Sequence, residues 1–211
     1  MDLGDPSDRA LLDAWRAGDR RAGSALFGRH YPLVNRFFRS KVDASDVADL
    51  IQNTFVACVE GRERFEGTGA FKSYLLGIAY RLLCHHYRSK RRMAARIELA
   101  SVSAADLAPS PTEDIADRQD ERLFLAAIRM IPVEHQTLLE LVYWEEFTAA
   151  DAAAVLGIPV GTAKSRIRRA RELLREALAA LAESPAVLES TLTRLDDWAQ
   201  RLRADLEPDD A

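Results

Sequence analysis

The residues best suited to chemistry in this 211-residue chain are cations. Their spacing points to the recognition of phosphates and base edges. The run Phe147–Ala170 holds Thr162, Lys164, Ser165, Arg166, Arg168 and Arg169. At helical spacing Ile167 faces inward and leaves these six near the outer face and the N-terminal half. Arg, Lys, Ser and Thr at the start of a helix can reach base edges and phosphates in a major groove. A second basic run carries Arg81, Arg88, Lys90, Arg91, Arg92 and Arg96 with no acid among them. Other constellations are weaker. Cys84, His85 and His86 are adjacent, so on a helix they point to different sides and cannot converge on one metal ion. His30 and His135 stand alone in the sequence. No phosphate-binding glycine loop, nucleophile elbow or paired-carboxylate site stands out, so no catalytic residue and no cofactor is assigned.

These cations need elements to hold them. Thr148 caps a short helix over Ala149–Leu156, with Asp151 completing a capping box three residues on. Gly157 suits the left-handed residue that ends it, Ile158 plugs the corner, and a helix from Gly161 to Leu181 follows. This is the helix-turn-helix pattern; an αα-hairpin with a basic face is the alternative. Upstream, Pro132 opens a helix over Val133–Tyr143, preceded by helical periodicity from Ile115 to Ile131. In the first half, Ser7 caps a helix to Ala17. A second helix runs from Arg20 to Lys41, where Pro32 should introduce a kink. A third runs from Asp46 to Gly61, capped from Asp43–Ser45, with Val47, Leu50, Ile51, Thr54, Phe55 and Cys58 inward. Glycines in Phe65–Gly69 make a loop. A fourth helix, Ala70–Met93, turns Phe71, Leu75, Ile78, Ala79, Leu82 and Leu83 inward and ends in the basic run.

Composition agrees with an all-α chain of two small helical domains joined by a flexible acidic linker. Hydrophobic residues are 48% and charged residues 29%, ordinary for a globular protein. Lys+Arg 29 against Asp+Glu 33 leaves a formal charge of −4, yet the distribution is uneven. Asp106, Glu113, Asp114, Asp117, Asp120 and Glu121 separate the two basic segments. Ser101–Thr112, with Pro109 and Pro111, reads as linker. The expected division is 1–97, linker 98–116, 117–182 and an extension 183–211. In that extension Leu188, Leu192, Leu195, Trp198 and Leu202 form an apolar stripe. Two cysteines exclude a disulfide scaffold. The absence of a signal peptide or a long apolar run implies a cytoplasmic chain.

The segment Gly157-Ile158-Pro159-Val160-Gly161-Thr162-Ala163-Lys164-Ser165-Arg166 resembles the promoter-reading helix-turn-helix of bacterial RNA polymerase sigma factors. Asp43–Phe55 resembles the polymerase-binding helix of that family. Phe71–Arg81, running into Arg88–Arg92, resembles its DNA-melting helix. With only the second and fourth sigma regions present, the pattern is that of the small extracytoplasmic-function (ECF) group. The resemblance implies that Asp46, Asp49, Gln52 and Asn53 dock on a coiled coil of the polymerase β′ subunit. It implies −10 contacts by Lys72, Tyr74, Tyr80, Arg81, Arg88, Lys90, Arg91 and Arg92, with Gly67–Gly69 helping to form a pocket for an extruded base. The −35 element falls to Thr162, Lys164, Ser165, Arg166, Arg168 and Arg169. The acidic linker is expected to thread towards the RNA exit path. Core polymerase (β′ and β subunits), promoter DNA and an anti-sigma factor are the partners implied. The family often has Asn at Arg81 and Asp at His85, so the −10 preference should be unusual. The rival readings are a stand-alone helix-turn-helix regulator and an interaction module that sequesters polymerase or an anti-sigma factor.

Overall fold

The computed structural model describes residues 6–65, 70–92, 103 and 119–182. Eight α-helices account for most of them: α1 (Asp8–Arg16), α2 (Arg20–Arg39), α3 (Ala44–Gly61), α4 (Phe71–Arg92), α5 (Gln119–Met130), α6 (Val133–Tyr143), α7 (Ala149–Leu156) and α8 (Val160–Leu181). A single 3₁₀ turn, Arg62–Arg64, follows α3. No strand occurs among the described residues, only an isolated bridge between Ser103 and Pro132. The linker otherwise, the Gly67–Gly69 loop and the 183–211 extension lie outside them, as does Arg96.

Local chemistry sets the helix ends. The Ser7 hydroxyl accepts from the Ala10 amide at 3.2 Å and starts α1. Asp19 does the same for α2 through the Arg21 and Ala22 amides. The α2 helix continues through Pro32 to Arg39 as one element. Asp43 sits at the N-cap of α3 without a side-chain cap bond; its carboxylate accepts instead from Lys90 at 2.8 Å. Thr148 and Asp151 close a full capping box, and Gly157 ends α7 at φ 68°. That value is left-handed, where glycine avoids the Cβ clash.

The first four helices form one bundle. Leu11, Leu12, Leu26, Val34, Phe38, Leu50, Ile51, Leu75 and Leu83 fill it, all buried. Trp15 lies against Gly23, so close that a Cβ there would meet the indole at 2.6–2.9 Å. The Tyr87 hydroxyl, at the far end of α4, donates to the Lys41 carbonyl. The second bundle has its own core under α5, α6 and α8, built on Phe124, Ile128, Trp144, Leu174 and Leu178. The two units do not stand apart. Val133, Leu138, Leu141, Phe147, Ala152, Val155 and Ile167 belong to the same continuous core as the first bundle.

Candidate nucleic-acid and polymerase interfaces

The α7–α8 corner is built as the spacing predicts. Ala152, Ala153 and Ala163 are buried and small, so the two helices cross closely. Ile158 packs half-buried on the core and Ile167 is buried. Lys164, Ser165, Arg168 and Arg169 are exposed along α8, and Thr162 and Arg166 are partly covered. The Ser165 hydroxyl donates to the Thr162 carbonyl at 2.9 Å. Two of the arginines have acidic partners. Arg166 donates to Glu134 of α6 at 2.9 Å, and Arg169 bridges Glu172 and Glu176 at 3.1 and 3.2 Å. Lys164 and Arg168 reach solvent on the same helix.

The α4 helix divides its expected site residues by face. Arg81, Arg88 and Lys90 are exposed. Arg91 and Arg92 close the helix. Tyr74 is half-buried, its ring 4.7 Å from that of Phe65 and its hydroxyl donating to the Gly61 carbonyl at 3.1 Å. Phe71, as its periodicity requires, belongs to the core. Tyr80 is half-buried, and burial raises its hydroxyl pKa, aided by a hydrogen bond with Cys84 and by the charge of Glu134, with Arg166 opposing. Lys72 reaches the other unit. Its ammonium lies 4.4 Å from the Phe147 ring centroid and donates to the Glu145 carbonyl at 3.3 Å.

Beside this helix lies a cavity of about 390 Å³, lined by Asp8, Arg9, Leu12, Arg16, Phe65, Ala70, Phe71 and Lys72. That volume is within the ~300–1,000 Å³ of small-ligand sites. Phe65 and Ala70 are the described residues that flank the Gly67–Gly69 loop. Arg16 of α1 fixes one flank, its guanidinium donating to the Arg62 carbonyl at 2.7 Å and to the Phe65 carbonyl. His30 stands against the Phe71 ring and pairs with Asp8 at 2.7 Å. Burial lowers the His30 pKa, with Asp8 opposing. Burial alone would raise the Asp8 pKa, but Arg29 and His30 outweigh it and hold the carboxyl low.

On α3 the polar face is where its spacing puts it. Asp49, Gln52 and Asn53 are exposed, and Val47, Leu50, Ile51, Thr54 and Cys58 are buried. Burial pushes the Cys58 thiol up to about 12, so it packs as an apolar group. Asp46 is partly covered and is engaged by Lys90 at 2.7 Å. The two expected sites therefore touch through this pair. The spacing argument passed over Val56 and Val59, which are 47% and 39% exposed and extend the Asp49–Asn53 face with apolar surface.

Sequence reasoning also missed the groups between the units. Arg36 of α2 donates to Glu145 through Nε and Nη2, each at 3.1 Å. Lys41, fully buried, donates to the Glu140 carboxylate, which accepts also from Ser40 at 3.2 Å and Gln136 at 2.8 Å. Burial presses the Lys41 pKa down and the Glu140 pKa up, and their mutual attraction opposes both shifts. The only advance sign was a lone acid inside the apolar run Leu138-Leu139-Glu140-Leu141.

Comparison with known proteins agrees with this layout. Residues 26–93 match the sigma-70 region 2 family, and residues 121–183 match sigma-70 region 4. The ECF RNA polymerase sigma-E factor of Haemophilus influenzae is 26% identical over 176 residues, 80% of this chain and 93% of that protein. The RNA polymerase sigma-H factor of Pseudomonas aeruginosa is 28% identical over 180 residues, 81% and 93% of the two. Among solved structures, CnrH in complex with the cytosolic domain of CnrY aligns with TM-score 0.60 and 25% identity over 83% of this chain and 99% of that one. The sigma factor RpoE of Bartonella quintana, in complex with the anti-sigma factor NepR, aligns with TM-score 0.57 and 26% identity over 74% and 96%. With both regions present in order on one short chain, this protein belongs to the sigma-70 family of RNA polymerase sigma factors, in its ECF group.

Proposed function

We propose that the chain is a dissociable specificity subunit that joins core RNA polymerase in the cytoplasm, directs it to promoters and helps to open them, without covalent chemistry of its own. One observation carries this reading: a capped helix-turn-helix with a cationic second helix shares its chain with a further bundle that has two outward faces. One is the Asp49–Asn53 face with Val56 and Val59. The other is the cation-tipped α4. A stand-alone regulator needs only the first of these modules.

The division of labour follows from the faces. Asp46, Asp49, Gln52 and Asn53 meet an arginine-rich coiled coil of β′, with Val56 and Val59 adding apolar contact. Lys164, Arg166 and Arg168 read the −35 element with Thr162 and Ser165, and Arg169 holds phosphate. Arg81, Arg88, Lys90, Arg91 and Arg92 follow the −10 backbone. Aromatic walls and nearby cations suit the Phe65–Phe71 cavity to an unstacked base, with Tyr74 and Lys72 at its edge and Tyr80 further along α4. The working units are residues 1–97 and 117–182, with 98–116 between them. An anti-sigma factor is a further partner, as for the Bartonella RpoE. Run-off transcription with purified core polymerase tests the whole reading. Initiation from a promoter that core enzyme alone ignores is expected. DNA binding without initiation would leave only a regulator.

A further inference from the structure

The cations of α4 do not share one face. Arg81, His85 and Arg88 recur at i, i+4 and i+7 and form one exposed stripe. Among the described residues no acid pairs with Arg81 or Arg88. Lys90 comes two residues after Arg88, about 200° further round the helix, so it leaves the stripe and turns to α3. There its ammonium donates to two carboxylates, Asp43 at 2.8 Å and Asp46 at 2.7 Å. His86, one turn before Lys90, faces the same Asp46 at 3.6 Å.

This arrangement changes what Lys90 can offer a phosphate. An ammonium has three N–H donors, and two of them are spent on α3. A phosphate on the third would stand within ~5 Å of both carboxylates and be repelled by them. Asp43, Asp46 and Lys90 together carry a net negative charge, whereas Arg81 and Arg88 carry theirs unopposed. Asp43 also makes no cap bond to its own helix, although an aspartate at that position ordinarily accepts from the first-turn amides. Its carboxylate is directed at α4. The two acids raise the Lys90 pKa, so the contact stays ionic throughout the neutral range.

We propose that Asp43 and Asp46 are positioning residues of the −10 site: they restrain Lys90 against α3, so the strand's grip on α4 rests on the Arg81–Arg88 stripe and Lys90 has only a weak share in it. This inference rests on the proposed sigma function for the DNA, but not for the restraint. The test uses pre-formed holoenzyme, with core polymerase in saturating excess, and a promoter fork single-stranded at the −10 element, titrated over a range of salt. Arg88→Met should lose one phosphate contact, about fourfold in affinity at ~0.15 M salt, with the slope of log affinity against log salt shallower by ~0.7. Lys90→Met should lose less than about twofold and leave that slope unchanged. Asp43→Asn/Asp46→Asn releases Lys90 and should gain about fourfold, with the slope steeper by ~0.7. Adding Lys90→Met should abolish most of that gain. Asparagine also serves as an N-cap, so α3 should still start at Ala44. In the free chain, limiting acetic anhydride read by mass spectrometry should acylate Lys90 more slowly than the exposed Lys164, and the two asparagines should bring the rates together. A Lys90→Met loss equal to that of Arg88→Met overturns the proposal. So does a gain from the two asparagines that survives Lys90→Met, or equal acylation of Lys90 and Lys164 in the parent. If the asparagine pair loses its melting transition, Lys90→Met against Arg88→Met decides alone. If acylation follows the stated order while neither parent nor variant binds the fork with core polymerase, the restraint stands and the sigma reading fails.

Discussion

The Arg166–Glu134 contact gives the most exacting test of the −35 reading. Arg166 donates to Glu134 at 2.9 Å, with about a third of its side chain exposed. A pair this open to solvent contributes only ~0.2–1 kcal/mol. To contact a base edge, Arg166 must leave Glu134, so that energy is subtracted from DNA affinity. Glu134→Gln removes the competitor. It also removes a negative charge that, ~8 Å from a phosphate, repels it by ~0.5 kcal/mol in water and by less than half of that after screening at physiological salt. The sum is about 0.4–1.2 kcal/mol, so Glu134→Gln should tighten binding to a −35 duplex by roughly two- to eightfold. Arg166→Ala should do the opposite and lose ~1–3 kcal/mol if Arg166 makes a bidentate base contact. In the Arg166→Ala background, Glu134→Gln should keep only the screened charge effect, a gain below about twofold. Fluorescence anisotropy of the full chain on matched and mismatched duplexes, at one salt concentration, completes the four-variant cycle. An equal gain from Glu134→Gln with and without Arg166 would refute the competition. A loss from Arg166→Ala that is the same on every sequence would make Arg166 a phosphate contact.

Three further outcomes are expected. Asp49→Arg should weaken core polymerase binding at least about tenfold, because a cation replaces an acid facing a basic partner; its melting temperature should hold, since an exposed change away from other groups stays within ~0.5 kcal/mol. Gly23→Ala should lower stability by ~1–3 kcal/mol despite the better helix former, because its methyl meets the buried Trp15 indole below 3 Å; a rise in melting temperature would show that the indole yields freely. His30 has its pKa held below the ordinary 6.5, chiefly by burial, so the unfolded chain binds the proton more readily. Its contribution is fully present above about pH 6.5 and is lost as pH falls through the lower folded value. Urea midpoints should therefore fall from about pH 7.5 to about pH 5.5, and fall less in His30→Gln; equal slopes would remove His30 from the account.

Local chemistry was legible in the sequence wherever its partner lay within a few residues. The Thr148–Asp151 box and the left-handed Gly157 set the bounds of α7 within a turn of chain, and Pro132 marks the start of α6. The inward stripe of α3 and the core position of Phe71 follow from periodicity, which says which face is buried. Periodicity does not say what covers that face. Lys41 and Glu140 are 99 residues apart, and neither lies on a pattern that marks a pair. Lys72, expected at the −10 element, also rests on the Phe147 ring and the Glu145 carbonyl, which no local pattern announces. Asp46 and Lys90 read as members of separate sites, yet they bond to each other across α3 and α4. Each of these depends on which helices become neighbours, and a single sequence leaves that choice open.

The clasp of Arg16 on the Arg62 and Phe65 carbonyls ties the first helix to the doorstep of the cavity beside α4. A shorter version of this chain, starting after Ala17, would retain every cation assigned to promoter contact. It would nevertheless give up that doorstep, along with the Asp8 brace on His30 and the Trp15 packing. Such a truncated subunit should still find its upstream element while stalling at strand separation, so the first helix would act on promoter opening without touching DNA itself.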